Sequence, residues 1–205
     1  MHAKVIVLAG PSGSGKSRLC RRVGEHLGLP TVNLDDYYKS GGDPTLPMLP
    51  GAGRPAQPDW DHPDSWLGEE ATDALERICR DGGADVPVYD ISRDGRIGHR
   101  RFELAGAPLL VAEGIFAQEV VAACRARGIL ADALCVRNHP AVTFWRRLSR
   151  DLREHRKPPL LLVRRGLRLM REEPRIVAHA VQVGCAAMPP EQAFDRIRSL
   201  VHART

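Results

Sequence analysis

An apolar run that stops at a glycine-rich turn constrains this chain more than any other feature. Val5-Ile6-Val7-Leu8-Ala9 leads directly into Gly10-Pro11-Ser12-Gly13-Ser14-Gly15-Lys16-Ser17, and Leu19, Val23 and Leu27 follow at helical spacing. Consecutive apolar residues read as a strand buried on both faces, which belongs in a parallel sheet covered on both sides by helices. The turn has the spacing G-x-x-x-x-G-K-S and lies between that strand and that helix, the context in which it binds phosphate. Its glycines let backbone N–H groups converge on a phosphate chain, and the helix N-terminus adds positive potential. Gly10, Pro11, Ser12, Gly13, Ser14, Gly15, Lys16 and Ser17 are therefore expected to cradle the phosphates of ATP. Lys16 would reach the β- and γ-phosphates, and Ser17 would ligate Mg²⁺.

The remaining pattern alternates strands with helices, as a parallel α/β sheet requires. A helix over 16–27 ends at Gly28 and Pro30, and a short strand covers 31–34. Residues 40–63 hold Gly41, Gly42, Pro44, Pro47, Pro50, Gly51, Gly53, Pro55, Pro58 and Pro63. A loop of this length inside a domain points to function. A helix is expected over 65–79, then short strands at 86–89 and 100–104 around a turn at Asp94-Gly95. Leu109 to Glu113 is a second wholly apolar strand. A helix follows over 117–126 and a strand over 133–136. From Ala141 the pattern is helical, is broken at Pro158-Pro159, and resumes to about His179. A strand near 183–186 and a last helix after Pro189-Pro190 complete the chain. The expected architecture is one domain over 1–205 with the P-loop NTPase fold. A substrate loop (about 36–63), a small β-hairpin insert (about 86–104) and a helical lid (about 146–160) are added to it.

A chain of 205 residues can bury roughly 70% of its unfolded surface and needs no disulfides. Cys20, Cys79, Cys124, Cys135 and Cys185 form no C-x-x-C pair. They read as reduced packing residues of a cytoplasmic protein, with no zinc-ligand spacing. No apolar run is long enough for a signal sequence or a bilayer span. The net charge of +5 is unevenly spread: residues 137–175 carry twelve Arg or Lys against four Asp or Glu, +8, so the rest carries −3. A basic segment of this kind closes over polyphosphate, holds nucleic acid, or is a solvated helix face.

Two further strand ends carry carboxylates. Glu113 ends the second apolar strand, where it can hold Mg²⁺ or form an ordinary ion pair. Asp35 and Asp36 follow the short strand. Transfer to an alcohol needs a carboxylate to orient the hydroxyl and accept its proton, and either aspartate fits, as does a turn cap.

Taken together, these segments resemble the uridine kinase (uridine/cytidine kinase) family of P-loop kinases. Beside the phosphate loop, Asp35-Asp36-Tyr37-Tyr38-Lys39 resembles its D-x-F/Y-Y-K stretch, and Asp61-His62-Pro63-Asp64-Ser65 its D-H-P-x-A/S stretch. Val86-Pro87-Val88-Tyr89-Asp90 resembles its P-x-Y-D strand and Glu113-Gly114-Ile115 its E-G-I/L. Arg147, Arg150 and Asp151 fit its R-x-x-R-D lid helix. The resemblance implies Asp35 as catalytic base lying close to Mg²⁺, with Ser17 and Glu113 as further metal ligands. It implies Tyr38 lining a nucleoside pocket, Asp61 on ribose hydroxyls, Tyr89 at the base, and Arg147 and Arg150 as a lid over triphosphate and substrate. Lys16, Arg147 and Arg150 would neutralise the charge of the transferring group.

Two positions depart from the family pattern. Asp94 stands where the family has a base-reading histidine, while Arg96 keeps the arginine two residues on; both are expected at the acceptor. After Asp151 the chain reads Glu154-His155-Arg156-Lys157 without the family's glycine. The reaction expected is ATP- and Mg²⁺-dependent transfer to the 5′-hydroxyl of a nucleoside, uridine or cytidine. The alternatives are a P-loop kinase for another small alcohol or sugar phosphate, and a nucleotide-dependent switch or nucleic-acid-binding NTPase. The partner expected is a small-molecule substrate, with neither membrane nor nucleic acid, and a homo-oligomer is compatible with the chain. The loop 184–190 is the candidate for the adenine.

Overall fold

The strand β1 (Lys4–Ala9) occupies the middle of the sheet, and its alternating side chains build two cores. In the computed structural model, which describes residues 2–50, 56–153 and 159–204, five parallel strands run in the order β2-β7-β1-β8-β9. They are β2 (Thr31–Asn33), β7 (Leu109–Glu113), β1, β8 (Leu130–Val136) and β9 (Ala186–Met188). Ile6 and Leu8 point to one face, where they meet Leu19, Cys20 and Val23 of α1 (Lys16–Leu27) and Phe194 and Ile197 of α6 (Pro190–His202). Val5, Val7 and Ala9 point to the other face. There they join Leu75 and Ile78 of α2 (Gly68–Asp81), Cys124 of α3 (Val121–Ala126) and Ala180 of α5 (Pro159–Gln182). The apolar run is thus spent on two opposite cores, the reason it cannot alternate with polar residues. All five cysteines are free and buried.

Two small antiparallel pairs stand apart from the main sheet. One joins β3 (Met48–Leu49) to β4 (Gln57–Pro58) inside the proline-rich loop. The other is the hairpin of β5 (Gly83–Asp90) and β6 (Gly95–Glu103). This hairpin is longer than the sequence suggests, because pairing begins at Gly83↔Glu103 directly after α2. Its turn is a 3₁₀ segment over Ile91–Arg93, capped by the Asp90 carboxylate accepting from Ser92 N–H at 2.8 Å. Asp94 follows in the left-handed conformation, φ 45°.

Other boundaries shift for local reasons. The helix expected from Ser65 starts at Gly68: Pro63–Ser65 form a separate 3₁₀ turn, and Trp66 turns inward to donate from Nε1 to the Leu34 carbonyl at 2.7 Å. The last strand begins at Ala186 and not near Val183, since Gly184 turns the chain at φ 102°. The segment expected as one helix over 117–126 divides into a 3₁₀ turn, Ala117–Val120, and α3. The lid expected at about 146–160 falls partly on α4 (Pro140–Arg153), which packs against α5. Residues 154–158 and the side chains of Arg147 and Arg150 lie outside the described residues. No helix among the described residues is long and apolar enough to cross a membrane.

Tyr37 is almost wholly buried, and its hydroxyl has no hydrogen-bond partner among the described residues. A buried polar group left unpaired costs stability. Tyr37→Phe keeps the ring and removes that cost, so it should stabilise the fold by about 1 kcal/mol, read as a rise in urea midpoint at constant slope. A fall in midpoint would mean that the hydroxyl is satisfied.

Candidate active site

The turn between β1 and α1 is shaped by glycines that no other residue could replace. Gly10 adopts φ 139°, and a Cβ there would lie 2.3 Å from the Val136 carbonyl oxygen at the end of β8. Gly13 and Gly15 are also left-handed, at φ 84° and 102°. Gly15 caps α1 without a side chain, and the first turn of α1 contains no acidic residue. The helix N-terminus is therefore left to an outside anion. Ser14 Oγ is buried inside the loop without a partner among the described residues. Lys16 Nζ donates to the carbonyls of Gly10 at 2.6 Å and Pro11 at 3.3 Å, folding back over the loop it belongs to. These features fit a polyphosphate: a backbone cradle too tight for a Cβ, an uncapped helix, an orphaned hydroxyl and a buried ammonium.

The parallel register brings the other charges to the same edge. Glu113 pairs with Leu8 of β1 on one side and Asn33 of β2 on the other, and Asp35 lies two residues beyond Asn33. Ser17 Oγ donates to Glu113 Oε1 at 3.1 Å. Asp35 Oδ1 accepts the Ile115 backbone N–H at 2.8 Å. A Cβ at Gly114 would stand 2.9 Å from that carboxylate oxygen, so a side chain there would push the Asp35 carboxylate aside. Burial raises the carboxyl pKa of Asp35 above its ordinary value, opposed by the Ile115 N–H and by Lys16. Burial likewise raises Glu113, opposed by Lys16 and reinforced by the Asp35 charge. Lys16 is lowered by burial, with Glu113 and Asp35 acting against the shift. One ammonium faces two carboxylates, so the cluster carries an excess negative charge. A divalent cation suits this excess, and Ser17, Asp35 and Glu113 are the residues that could hold it.

The two neighbouring aspartates take separate tasks. They lie in a 3₁₀ turn, Leu34–Tyr37, capped by Asn33 Oδ1, which accepts the Asp35 N–H at 3.1 Å. The Asp35 carboxylate faces Lys16 and Glu113. Asp36 instead lies beside the hairpin: burial raises its carboxyl pKa, and the nearby Tyr89 N–H and Arg100 oppose the shift. Beyond Asp35 the wall is aromatic. The Tyr38 ring lies 5.9 Å from Trp60, 6.0 Å from Tyr89 and 5.9 Å from Phe116, centroid to centroid, and its hydroxyl donates to the Trp60 carbonyl at 3.2 Å.

The other residues expected at the acceptor are more dispersed. Asp61 is exposed at the end of the proline-rich loop, its N–H donating to Asp59 Oδ1 at 3.2 Å. Asp94 sits at the hairpin tip. Its carbonyl accepts from Gly41 N–H at 2.6 Å, and its charge helps burial to raise the Tyr89 hydroxyl pKa. Arg96 points to α2, where it makes two bonds to Glu70, at 2.8 and 2.9 Å. Asn138 was not anticipated as part of the site. It follows β8, and its Nδ2 donates to the Ser14 carbonyl at 2.5 Å, steadying the phosphate loop from the next strand. Its signal in the sequence was its place after an apolar strand, the same placement that marks Glu113.

No protein-family model matches the chain. The uridine kinase of Borrelia hermsii is 30% identical over 156 residues, spanning 73% of this chain and 68% of that protein. The uridine kinase of Deinococcus deserti is 30% identical over 172 residues, spanning 82% of this chain and 77% of that protein. Among solved structures, a protein provisionally named a fructose transport system kinase, from Silicibacter sp. TM1040, superposes with a TM-score of 0.62. The two are 18% identical, and the match covers 86% of this chain and 85% of the other, a likeness of fold. With the parallel sheet, the phosphate loop and the carboxylates at its edge already in place, these relatives make the chain a P-loop kinase that belongs to the uridine kinase family.

Proposed function

We propose that the protein transfers the γ-phosphoryl group of ATP, with Mg²⁺, to the 5′-hydroxyl of a nucleoside, uridine or cytidine. The observation that carries this reading is the position of Asp35. Its carboxylate is held by the Ile115 N–H beside Lys16 and Glu113, and the aromatic cluster of Tyr38, Tyr89, Trp60 and Phe116 begins three residues along the chain, with Phe116 next to Ile115. ATP supplies the phosphoryl group, and Mg²⁺ neutralises charge on it. The loop N–H groups and Lys16 bind the phosphates, and Ser17, Asp35 and Glu113 hold the metal. Asp35 would orient the acceptor hydroxyl and take its proton as the new P–O bond forms and the γ-phosphorus bond to the bridging oxygen breaks, releasing ADP. Its raised pKa suits a proton acceptor better than an ordinary surface aspartate would. The aromatic rings stack on a flat base, Asp61 serves the ribose, and Tyr89 meets the base edge. Arg147 and Arg150 close over the phosphates and exclude water as a competing acceptor. The loop 184–190 takes the adenine.

A second reading changes only the acceptor. Asp94 stands where the family's pattern has a histidine, and a carboxylate accepts hydrogen bonds where an imidazole can also donate. Another small alcohol, with a donor-rich edge, would suit it. Incubation with ATP, Mg²⁺ and a panel of nucleosides, sugar phosphates and small alcohols separates the readings. Formation of uridine or cytidine 5′-monophosphate, identified by mass, is the expected outcome. Phosphorylation of a different alcohol alone would replace the acceptor and keep the kinase. ADP release independent of every acceptor would remove the reading.

Asp35→Asn should lower turnover by roughly 10²–10⁴, whereas Asp36→Asn should cost much less; equal losses would displace Asp35 as the base. The ligand-free Asp35→Asn protein should also melt higher at neutral pH. A carboxyl whose pKa is raised in the folded state stabilises the fold least when ionised, so its contribution falls as pH rises through and above the ordinary value of 3.8. The melting gain over the wild-type chain should therefore be larger at pH ~7 than at pH ~4. A gain that does not depend on pH would mean that the Asp35 carboxylate is not the cause.

A further inference from the structure

The residues of the turn that carries Asp35 meet three separate parts of the molecule. The Leu34 carbonyl accepts from Trp66 Nε1, and Asp35 Oδ1 from Ile115 N–H. The Tyr89 N–H lies against the Asp36 carboxylate and counters the burial that raises its pKa, and the Tyr37 carbonyl accepts from Leu67 N–H at 3.0 Å. Leu67 caps α2, and Glu70 lies in its first turn. Glu70 takes both bonds of the Arg96 fork, and the Arg96 guanidinium stands 5.9 Å from the centroid of the Tyr37 ring. Arg96 is also the cross-strand partner of Tyr89, at the point where the hairpin register shifts.

These contacts close a ring: α2 to Arg96, Arg96 across the hairpin to Tyr89, Tyr89 to Asp36, and Tyr37 back to α2. We propose that the Glu70–Arg96 pair is a positioning device for phosphoryl transfer, which sets the catalytic turn and the acceptor-facing strand relative to each other. Arg96 is on this account a positioning residue that does not touch the acceptor. The inference rests on the reading of Asp35 and Tyr89 as catalytic and acceptor residues.

The pair is poorly explained by stability alone. Both side chains are partly exposed, where ion pairs contribute little. Arg96 Nε is buried without a partner among the described residues, a cost that an apolar contact would avoid. What the fork does supply is direction. Two parallel N–H···O bonds fix a guanidinium plane more tightly than a single point charge can. Asp35 must meet a hydroxyl within hydrogen-bond reach, and displacement by about 1 Å at such a position can cost on the order of 10² in rate.

The test uses Arg96→Lys and Glu70→Gln in the full chain, singly and together. It reads kcat, the KM values for acceptor and ATP, and amide hydrogen exchange in peptides covering 34–38 and 88–94. Each single substitution should lower kcat by roughly tenfold or more, leave the KM for ATP unchanged, and speed exchange in both peptides. The double variant should be no worse than the poorer single one, as expected when two residues act as one unit. Additive losses, unchanged exchange, or a silent Glu70→Gln beside an Arg96→Lys that raises only the acceptor KM would overturn the proposal. The last pattern would place Arg96 on the acceptor itself. Should the wild-type chain phosphorylate no nucleoside, the acceptor reading falls by itself. Exchange then decides for the pair: faster exchange shared by both peptides and no faster in the double variant supports it, and wild-type exchange ends it.

Discussion

Lys16, Asp35 and Glu113 are taken out of water together at the edge of the parallel sheet, and the rest of the structure is arranged around that cost. Burial pushes the ammonium down and both carboxyls up in pKa. Only the attraction of Lys16 for the carboxylates and a few fixed donors oppose it, Ser17 for Glu113 and the Ile115 N–H for Asp35, while the two carboxylates repel each other. Three adjacent strands, β2, β7 and β1, are required to bring the three groups to one edge. Those strands hold position because their side chains are spent on two apolar cores, one on each face. The cluster is therefore held together by close-packed cores on both faces of the sheet.

The phosphate side and the acceptor side solve different problems. On the proposed phosphate side the backbone would do the binding, so glycine geometry decides. Gly10 has room only because it lacks a Cβ against Val136, and Asn138 holds the far side of the loop. On the acceptor side the side chains do the work, and they come from segments far apart in the chain. Asp35 and Asp36, though adjacent, meet different surroundings: the first is bonded just past the β7 end, and the second lies against the hairpin at Tyr89.

Much of this was legible in order of residues. The bounds of β1, α1 and β7 follow directly from apolar runs, from Gly28 closing the helix and from the phosphate-loop spacing. Boundaries were misread where a tertiary bond overrode local pattern. The helix over 65–79 reads as continuous, yet it starts three residues later because Trp66 is drawn to the Leu34 carbonyl. The hairpin grows beyond its two short apolar patches because cross-strand pairing, which a strand pattern does not reveal, begins right at Gly83.

The sequence by itself determined the phosphate loop, the strand-end carboxylates and the parallel α/β sheet, because each depends on neighbours within a few residues: a turn that admits only glycine, or a strand apolar on both faces. Local pattern leaves the two aspartates equivalent and only the family resemblance separates them, while the place of Asn138 at the loop and the hold of Glu70 on Arg96 appear first in the tertiary contacts. Those outcomes rest on hydrogen bonds between residues tens of positions apart. Bond direction, unlike hydrophobic periodicity, leaves no mark on the order of residues along the chain.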